Sequence, residues 1–290
     1  MRQNKIRIAT RNSPLALLQT QAVIDSLLKV DNELIAEIVP IITSGDQALK
    51  SAPGMNVKAM FVSELQQALL SDQADIAVHS LKDMAIKPQA GLAIIACMPR
   101  QDPSDAFVSN KYISLELLPA GAVVGTSSIR RKSLLQKYYP EIIVKDVRGN
   151  IDTRLRKLEE SFDAIILATN GLERLSYRNK ITERLPKEKF IPAIGQAVIA
   201  IEANINNPCI NLVQKINPSD TFLCVQIERH IGSLLGADCG LPIAVHVKVL
   251  DNGDIDILAM SALSDFKSVH QQTSLADLAQ TVHLIINKLQ

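Results

Sequence analysis

Residues 122–175, AVVGTSSIRRKSLLQKYYPEIIVKDVRGNIDTRLRKLEESFDAIILATNGLERL, repeat one unit three times. An apolar strand runs into a polar turn, and the turn opens a helix that carries arginine near its start. The strands read as Ala122–Val124, Ile142–Val147 and Ala164–Ala168, and the helices as Ser128–Tyr139, Ile151–Glu160 and Gly171–Leu175. Strands alternating with helices in this way predict an α/β lobe with a largely parallel sheet. Upstream, Lys5–Thr10, Leu34–Ile42, Asp75–His79 and Leu92–Met98 read as strands, with helices over Pro14–Lys29 and Phe61–Leu70. Ser13-Pro14 is a helix start, with Ser as the cap and Pro at the first helical position. Ile191–Gln196 is a Pro/Gly turn feeding an apolar run, Ala197–Glu202. From about Asn217 the pattern changes: Ala244–Leu250 and Ile255–Ala262 flank Asn252-Gly253, a strong hairpin signal. A last helix, Leu275–Leu289, begins at a capping-box-like pair, Ser274 and Asp277. The chain therefore reads as two α/β lobes and a small α+β domain.

Composition narrows the function classes. With 290 residues, two domains of about 150 residues or three small ones are expected, and 47% hydrophobic residues suffice for a buried core. Lys+Arg number 31 against 30 Asp+Glu, a net charge of +1, which disfavours a general nucleic-acid binder or a polybasic membrane binder. No apolar run approaches the roughly 18 residues of a membrane span, and Met1–Leu18 lacks an export-signal pattern. Four cysteines without a CxxC fit a reducing compartment, so a cytoplasmic protein is expected. The charge is uneven, however. Residues 130–184 hold thirteen bases and eight acids, including eight of the chain's thirteen arginines; the other 235 residues hold 18 bases and 22 acids.

Where those arginines fall matters more than their number. Gly125-Thr126-Ser127-Ser128-Ile129-Arg130-Arg131 sets three hydroxyls and two arginines at a helix start. Free N–H groups there attract anions, while cations oppose the helix dipole by about 0.3–1 kcal/mol each. An anionic ligand would account for the placement; solvation or pairing with acids would also do so. Arg148 and Arg154 around the Gly149-Asn150 turn, and Arg174 after Asn170-Gly171, repeat the device. Arg11 occupies the turn after the first strand. Ligands of open α/β sheets sit beyond the strands' carboxyl ends, so six arginines at such turns imply several carboxylates or phosphates. No GxGxxG or Walker A sequence supports a nucleotide.

Two further segments carry chemistry. In Ala77–Asp83, Lys82 and Asp83 lie near the end of an apolar strand. Asp83 is either a proton-transfer or cation-stabilising group or a surface acid, and His79 reads as a satisfied core residue. In Leu235–Pro242, Cys239 sits in a Gly/Pro loop and is either a reactive thiol or a small apolar residue. Cys97, Cys209 and Cys224 read as buried or neutral. No HExxH or other ligand spacing predicts a metal.

In order along the chain, Arg7–Leu17, Asp75–Asp83, Asp102–Asn110, Gly125–Arg131, Arg148–Arg154, Asp163–Leu175, Ile191–Glu202 and the Cys239 loop resemble the porphobilinogen deaminase family. The resemblance implies two periplasmic-binding-protein-like α/β lobes plus a small α+β C-terminal domain. Its boundaries would be 1–98 with 197–216, 103–192, and 217–290. It also implies a transferase that joins four porphobilinogen molecules head to tail with loss of ammonia. The primer in that family is a dipyrromethane cofactor bound by a thioether, here at Cys239. Asp83 would contact pyrrole N–H groups, stabilise the cationic azafulvene and assist proton transfer. Ser80, Lys82, Thr126, Ser127, Ser128, Arg130 and Arg131 match cofactor-binding positions. Arg11, Ser13, Gln19, Phe61, Arg148, Arg154, Arg174 and Gln196 match substrate-binding ones. The partner would be the small-molecule substrate, with no nucleic acid, membrane or metal, and a monomer is expected.

The departures from the family are local. Its glycine-rich lid often carries two lysines; in Pro53–Phe61 only Lys58 remains, with Gly54 in the other's place. Ala197 follows Gln196 where glycine is usual, and Asp238 precedes the cysteine where glycine is common. Two other readings stand beside the enzyme: a two-lobe binder of a small polyanion without chemistry, and a catalytically impaired relative.

Overall fold

The computed structural model describes residues 4–43, 62–238 and 240–290. In chain order the strands are β1 (Lys5–Arg11), β2 (Ile35–Ile41), β3 (Ile76–Ser80), β4 (Leu92–Cys97), β5 (Asp105–Val108), β6 (Val123–Gly125) and β7 (Ile143–Lys145). There follow β8 (Ala164–Ala168), β9 (Glu183–Arg184), β10 (Ile199–Asn204), β11 (Ile243–Val249), β12 (Ile255–Ser261) and β13 (Lys267–Thr273). The helices are α1 (Pro14–Val30), α2 (Ser63–Leu70), α3 (Ile129–Tyr138), α4 (Ile151–Ser161), α5 (Thr169–Arg174), α6 (Ile210–Gln214), α7 (Ser219–Leu234) and α8 (Leu278–Leu289). The chain forms two compact units, Met1–Gln101 with Ala197–Leu223, and Asp102–Gln196 with Cys224–Gln290.

The first unit is built on a sheet of order β2-β1-β3-β10-β4. Alternation along the strands sends neighbouring residues to opposite faces. Ile8 and Val78 join Val23 and Leu27 of α1 in one core, whereas Ala9 and Ala77 join Leu65 and Leu69 of α2 in the other. Ser13 caps α1, accepting from the Ala16 N–H at 3.3 Å, with Pro14 at the first helical position. A cap of this kind contributes about 1 kcal/mol. The carboxyl ends of β1 and β3 thus meet the start of α1, and a 3-10 turn, Leu81–Asp83, continues directly from β3.

The second unit repeats the plan with a sheet of order β7-β6-β8-β5-β9. Phe107, Val124 and Ile166 face Leu134 and Leu135 of α3; Ala106, Ile165 and Leu167 face Leu158 of α4. The antiparallel sheet β11-β12-β13 contributes Ala244, Leu258 and Met260 to the first of these cores. The Asn252-Gly253 hairpin forms as expected, with Gly253 at φ 86°.

Three expectations need correction. The sheets are mixed rather than largely parallel: β10 runs antiparallel to β3 and β4, and β5 antiparallel to β8 and β9. Neither strand is joined to a sheet neighbour by a single crossover helix, the connection that enforces parallel pairing. The last helix begins at Leu278, because Ser274 and Asp277 bond to each other in the preceding turn, Ser274 Oγ donating to Asp277 Oδ2 at 2.8 Å. Helices α6 and α7 and strands β5, β9 and β13 are not among the elements read from the sequence. β9 has two residues and β5 four, and β13 (KSVHQQT) buries only Val269 and Thr273.

Candidate functional site

In the first unit, a pocket opens where β1, β3 and α1 meet, lined among others by Arg11, Ser13, Gln19, His79, Ser80 and Asp83. Five of these are predicted site residues, drawn together from two strand ends, a helix start and a 3-10 turn. Gln19, buried on the second turn of α1, donates from Nε2 to Ser80 Oγ at 2.8 Å, and Ser80 Oγ approaches Gln19 Oε1 at 3.1 Å. The pair fixes the wall beside Asp83. Lys82 lies on the same turn but is not part of the lining. His79 behaves as the core residue expected, 5% exposed, yet it also touches the pocket. Its Nε2 lies 3.0 Å from Glu202 Oε2, and Gln66 Nε2 donates to Glu202 Oε1 at 2.9 Å. A carboxylate and a cation in one partly apolar pocket suit an anionic substrate that must also exchange protons.

In the second unit, Gly125–Arg131 forms the strand–turn–helix link expected, but its polar groups turn inward. A Cβ at Gly125 would lie 2.9 Å from Ile165 and Phe162, so glycine is required by close packing. The hydroxyls hold the turn: Thr126 Oγ1 accepts from the Ser128 N–H, Ser127 Oγ donates to the Val147 carbonyl, and Ser128 Oγ caps α3. Arg130 and Arg131 neither point to solvent nor lie open at the helix end, being 5% and 6% exposed. Both pair with the fully buried Asp105, a residue the sequence reading did not single out. Arg130 Nη2 donates to both Asp105 oxygens, at 3.1 and 2.8 Å, and Arg131 Nη2 to Oδ1 at 2.7 Å. Their Nη1 groups donate to the Ile191 and Ile166 carbonyls. Gln196 belongs to the same centre, buried and donating to Asp105 Oδ1 at 2.9 Å and to the Pro103 carbonyl. Burial pushes the Asp105 carboxyl up, but the two guanidiniums outweigh it and hold the group well below the carboxylate range.

Three further predicted arginines belong to this unit: Arg148 in the turn before α4, Arg154 in the first turn of α4 and Arg174 at the end of α5. Arg154 Nε donates to the Gly149 carbonyl at 2.8 Å, and Arg148 lies 3.8 Å from Asp146, which Lys132 holds more closely at 2.6 Å. Arg174 ends α5; burial alone lowers its guanidinium to about 10, and its buried Nη1 has no hydrogen-bond partner among the described residues. The Nε atoms of Arg130 and Arg131 are likewise buried without a partner among the described residues. Such orphaned donors in a desolvated setting mark a place for an acceptor. The donor set suits the carboxylates of a dipyrromethane or pyrrole ligand, because guanidiniums remain charged and bind carboxylates at more than one nitrogen. Cys239 and Phe61, together with Gly54 and Lys58, lie outside the described residues.

A family model described as porphobilinogen deaminase, dipyromethane cofactor binding domain, matches residues 6–211. Among solved structures, the chain is similar to the VFT2 domain of Bordetella pertussis BvgS, at 18% identity over 73% of this chain and 86% of that one, with a TM-score of 0.45. It is similar to the methionine-binding protein MetQ at 12% identity, covering 73% and 89% with a TM-score of 0.47. Lipoprotein Tp32 of Treponema pallidum matches at 13%, covering 79% and 95% with a TM-score of 0.46. Among the described residues, no helix is long and apolar enough to cross a membrane.

Proposed function

The chain belongs to the porphobilinogen deaminase family, and on that premise we propose that it joins four porphobilinogen molecules head to tail into hydroxymethylbilane, releasing ammonia at each step. The observation that carries this reading is the pocket that gathers Asp83, Arg11, Ser13, Gln19 and Ser80 in the first unit. These are the positions the family resemblance assigns to the reaction, and they come from separate segments of sequence.

The roles follow from charge and placement. Asp83, on a short turn fixed to the end of β3, is the catalytic carboxylate: it accepts hydrogen bonds from pyrrole N–H, stabilises developing positive charge and relays the proton lost when pyrroles couple. Arg11 binds substrate carboxylate, with Ser13 and Gln19 as neutral partners. In the second unit, Arg130 and Arg131, with Thr126, Ser127 and Ser128, hold the cofactor's acid side chains, and Arg148, Arg154 and Arg174 those of substrate rings. Ser80 and Lys82 complete the cofactor contacts in the first unit; Phe61 and Gln196 serve the substrate. When bound, the dipyrromethane supplies a tethered pyrrole carbon as the primer, so chain growth begins from a fixed nucleophile at high effective concentration. Cys239 is the proposed thioether attachment point, and the protein acts in the cytoplasm as a monomer.

Turnover of Asp83→Asn tests the assignment. The variant should keep its far-UV spectrum, while ammonia release at saturating porphobilinogen falls by at least about a hundredfold, the size expected for loss of a proton-transfer group. Near-normal ammonia release would remove Asp83 from the reaction. Porphobilinogen bound by the unsubstituted chain without ammonia release would favour the non-catalytic binder, and cofactor without tetrapyrrole the impaired relative.

A further inference from the structure

Two guanidiniums and one carboxylate share a buried volume in the second unit. Among the described residues, the one acid paired with either arginine is Asp105, 2.8 Å from Arg130 and 2.7 Å from Arg131, and it is fully buried. The centre therefore holds two positive charges and one negative. A buried charge without a counter-charge is unfavourable, and a fold needing only a structural ion pair would be served by a single arginine. Among the described residues, both arginines also keep a buried Nε without a partner while their Nη groups are committed to Asp105, Ile191 and Ile166. Asp105 itself is fixed at the start of β5, where it pairs in register with Ala168, so it cannot follow the arginines if they move.

We propose that Asp105 is a positioning residue that orients both guanidiniums and neutralises one of their charges, leaving a centre of charge +1 that accepts one ligand carboxylate. Only the identity of that carboxylate, an acid side chain of the pyrrole ligand, rests on the proposed function; the charge count does not. Gln196 supports the arrangement from the other side of Oδ1 but carries no charge, so it cannot replace Asp105 in this role.

The test uses the full chain carrying Cys239→Ser, so that no thioether can form, with acetate as the probe. Unfolding free energy is measured as potassium acetate replaces potassium chloride at constant ionic strength; the slope against the logarithm of acetate concentration counts the anions bound preferentially by the folded chain. Asp105→Asn should raise that slope by about one anion, and Arg131→Gln, which leaves Arg130 balanced against Asp105, should lower it by about one. In the chain with Cys239 intact, Asp105→Asn should slow acquisition of the cofactor mass by at least about tenfold, the equivalent of one well-placed charged contact. Slopes that do not differ among the parent and the two variants would overturn the proposal, as would cofactor loading of Asp105→Asn within twofold of the parent. If Asp105→Asn fails to fold in both salts, Arg131→Gln decides alone: an undiminished slope refutes the charge count. Failure of the family chemistry would show instead as a parent chain that never gains the cofactor, whatever the acetate slopes.

Discussion

Ala197 adopts φ 67°, in the left-handed region, directly after Gln196. A side chain there costs about 1–2 kcal/mol, which glycine avoids at the expense of a more flexible unfolded chain. Ala197→Gly should therefore stabilise the protein by about 0.5–1 kcal/mol net. A raised urea midpoint with an unchanged denaturant slope is the expected result, and an unchanged or lowered midpoint would contradict it. The sequence shows that Ala197 departs from its family, though not that its backbone is left-handed. Arginines are similar. Their grouping at strand-to-helix turns is legible, because hydroxyls and glycines mark the turns. The direction of Arg130 and Arg131 is not, since their partner Asp105 lies 25 and 26 residues away and nothing local distinguishes it from other acids. That Asp83 and Arg11 lie at strand ends was legible, because the apolar runs stop beside them, although Arg11 is the last residue of β1 and not part of the turn after it.

At the scale of elements, what the sequence revealed tracks how local the signal is. Ser13-Pro14, the Asn252-Gly253 turn and the three strand–turn–helix units are each specified within about twenty residues. Strand β5 is specified by its neighbours β8 and β9, which lie some sixty to eighty positions downstream. Helix α7 buries Glu228 along with Cys224, Val225, Ile227 and Ile231, so a charge interrupts its apolar stripe. That carboxylate is satisfied by the backbone N–H groups of Gly195 and Val247, contacts invisible in a helical pattern. The β6–α3 link depends on close approach at Gly125. Gly125→Ala would force its methyl against Ile165 and Phe162 at 2.9 Å, for a loss of about 1–3 kcal/mol, read by urea unfolding. A variant as stable as the parent would show that this packing yields.

Over the whole molecule, the net charge of +1 conceals carboxylates held in their ionised form by specific partners. The Val123 N–H and Lys111 hold Asp163 below its usual range, Lys132 does the same for Asp146, and Asp105 is the most strongly held. A carboxyl lowered in the folded state contributes fully above its unfolded pKa. As pH falls below about 4, the unfolded chain takes up protons first and stability is lost towards the folded-state value. Urea midpoints should therefore fall steadily below about pH 4, and Asp105→Asn should flatten that acid limb while lowering stability at neutral pH. An acid limb unchanged by the substitution would mean that Asp105 is not the dominant group. The same arginines that keep Asp105 ionised are those assigned to the cofactor, so fold and proposed chemistry share one electrostatic centre. The most direct test is the intact mass of the purified chain, with peptide mapping, before and after incubation with porphobilinogen. The account predicts an added dipyrromethane mass on Cys239 that is absent from Cys239→Ser. An unmodified chain that stays unmodified and releases no ammonia would contradict it.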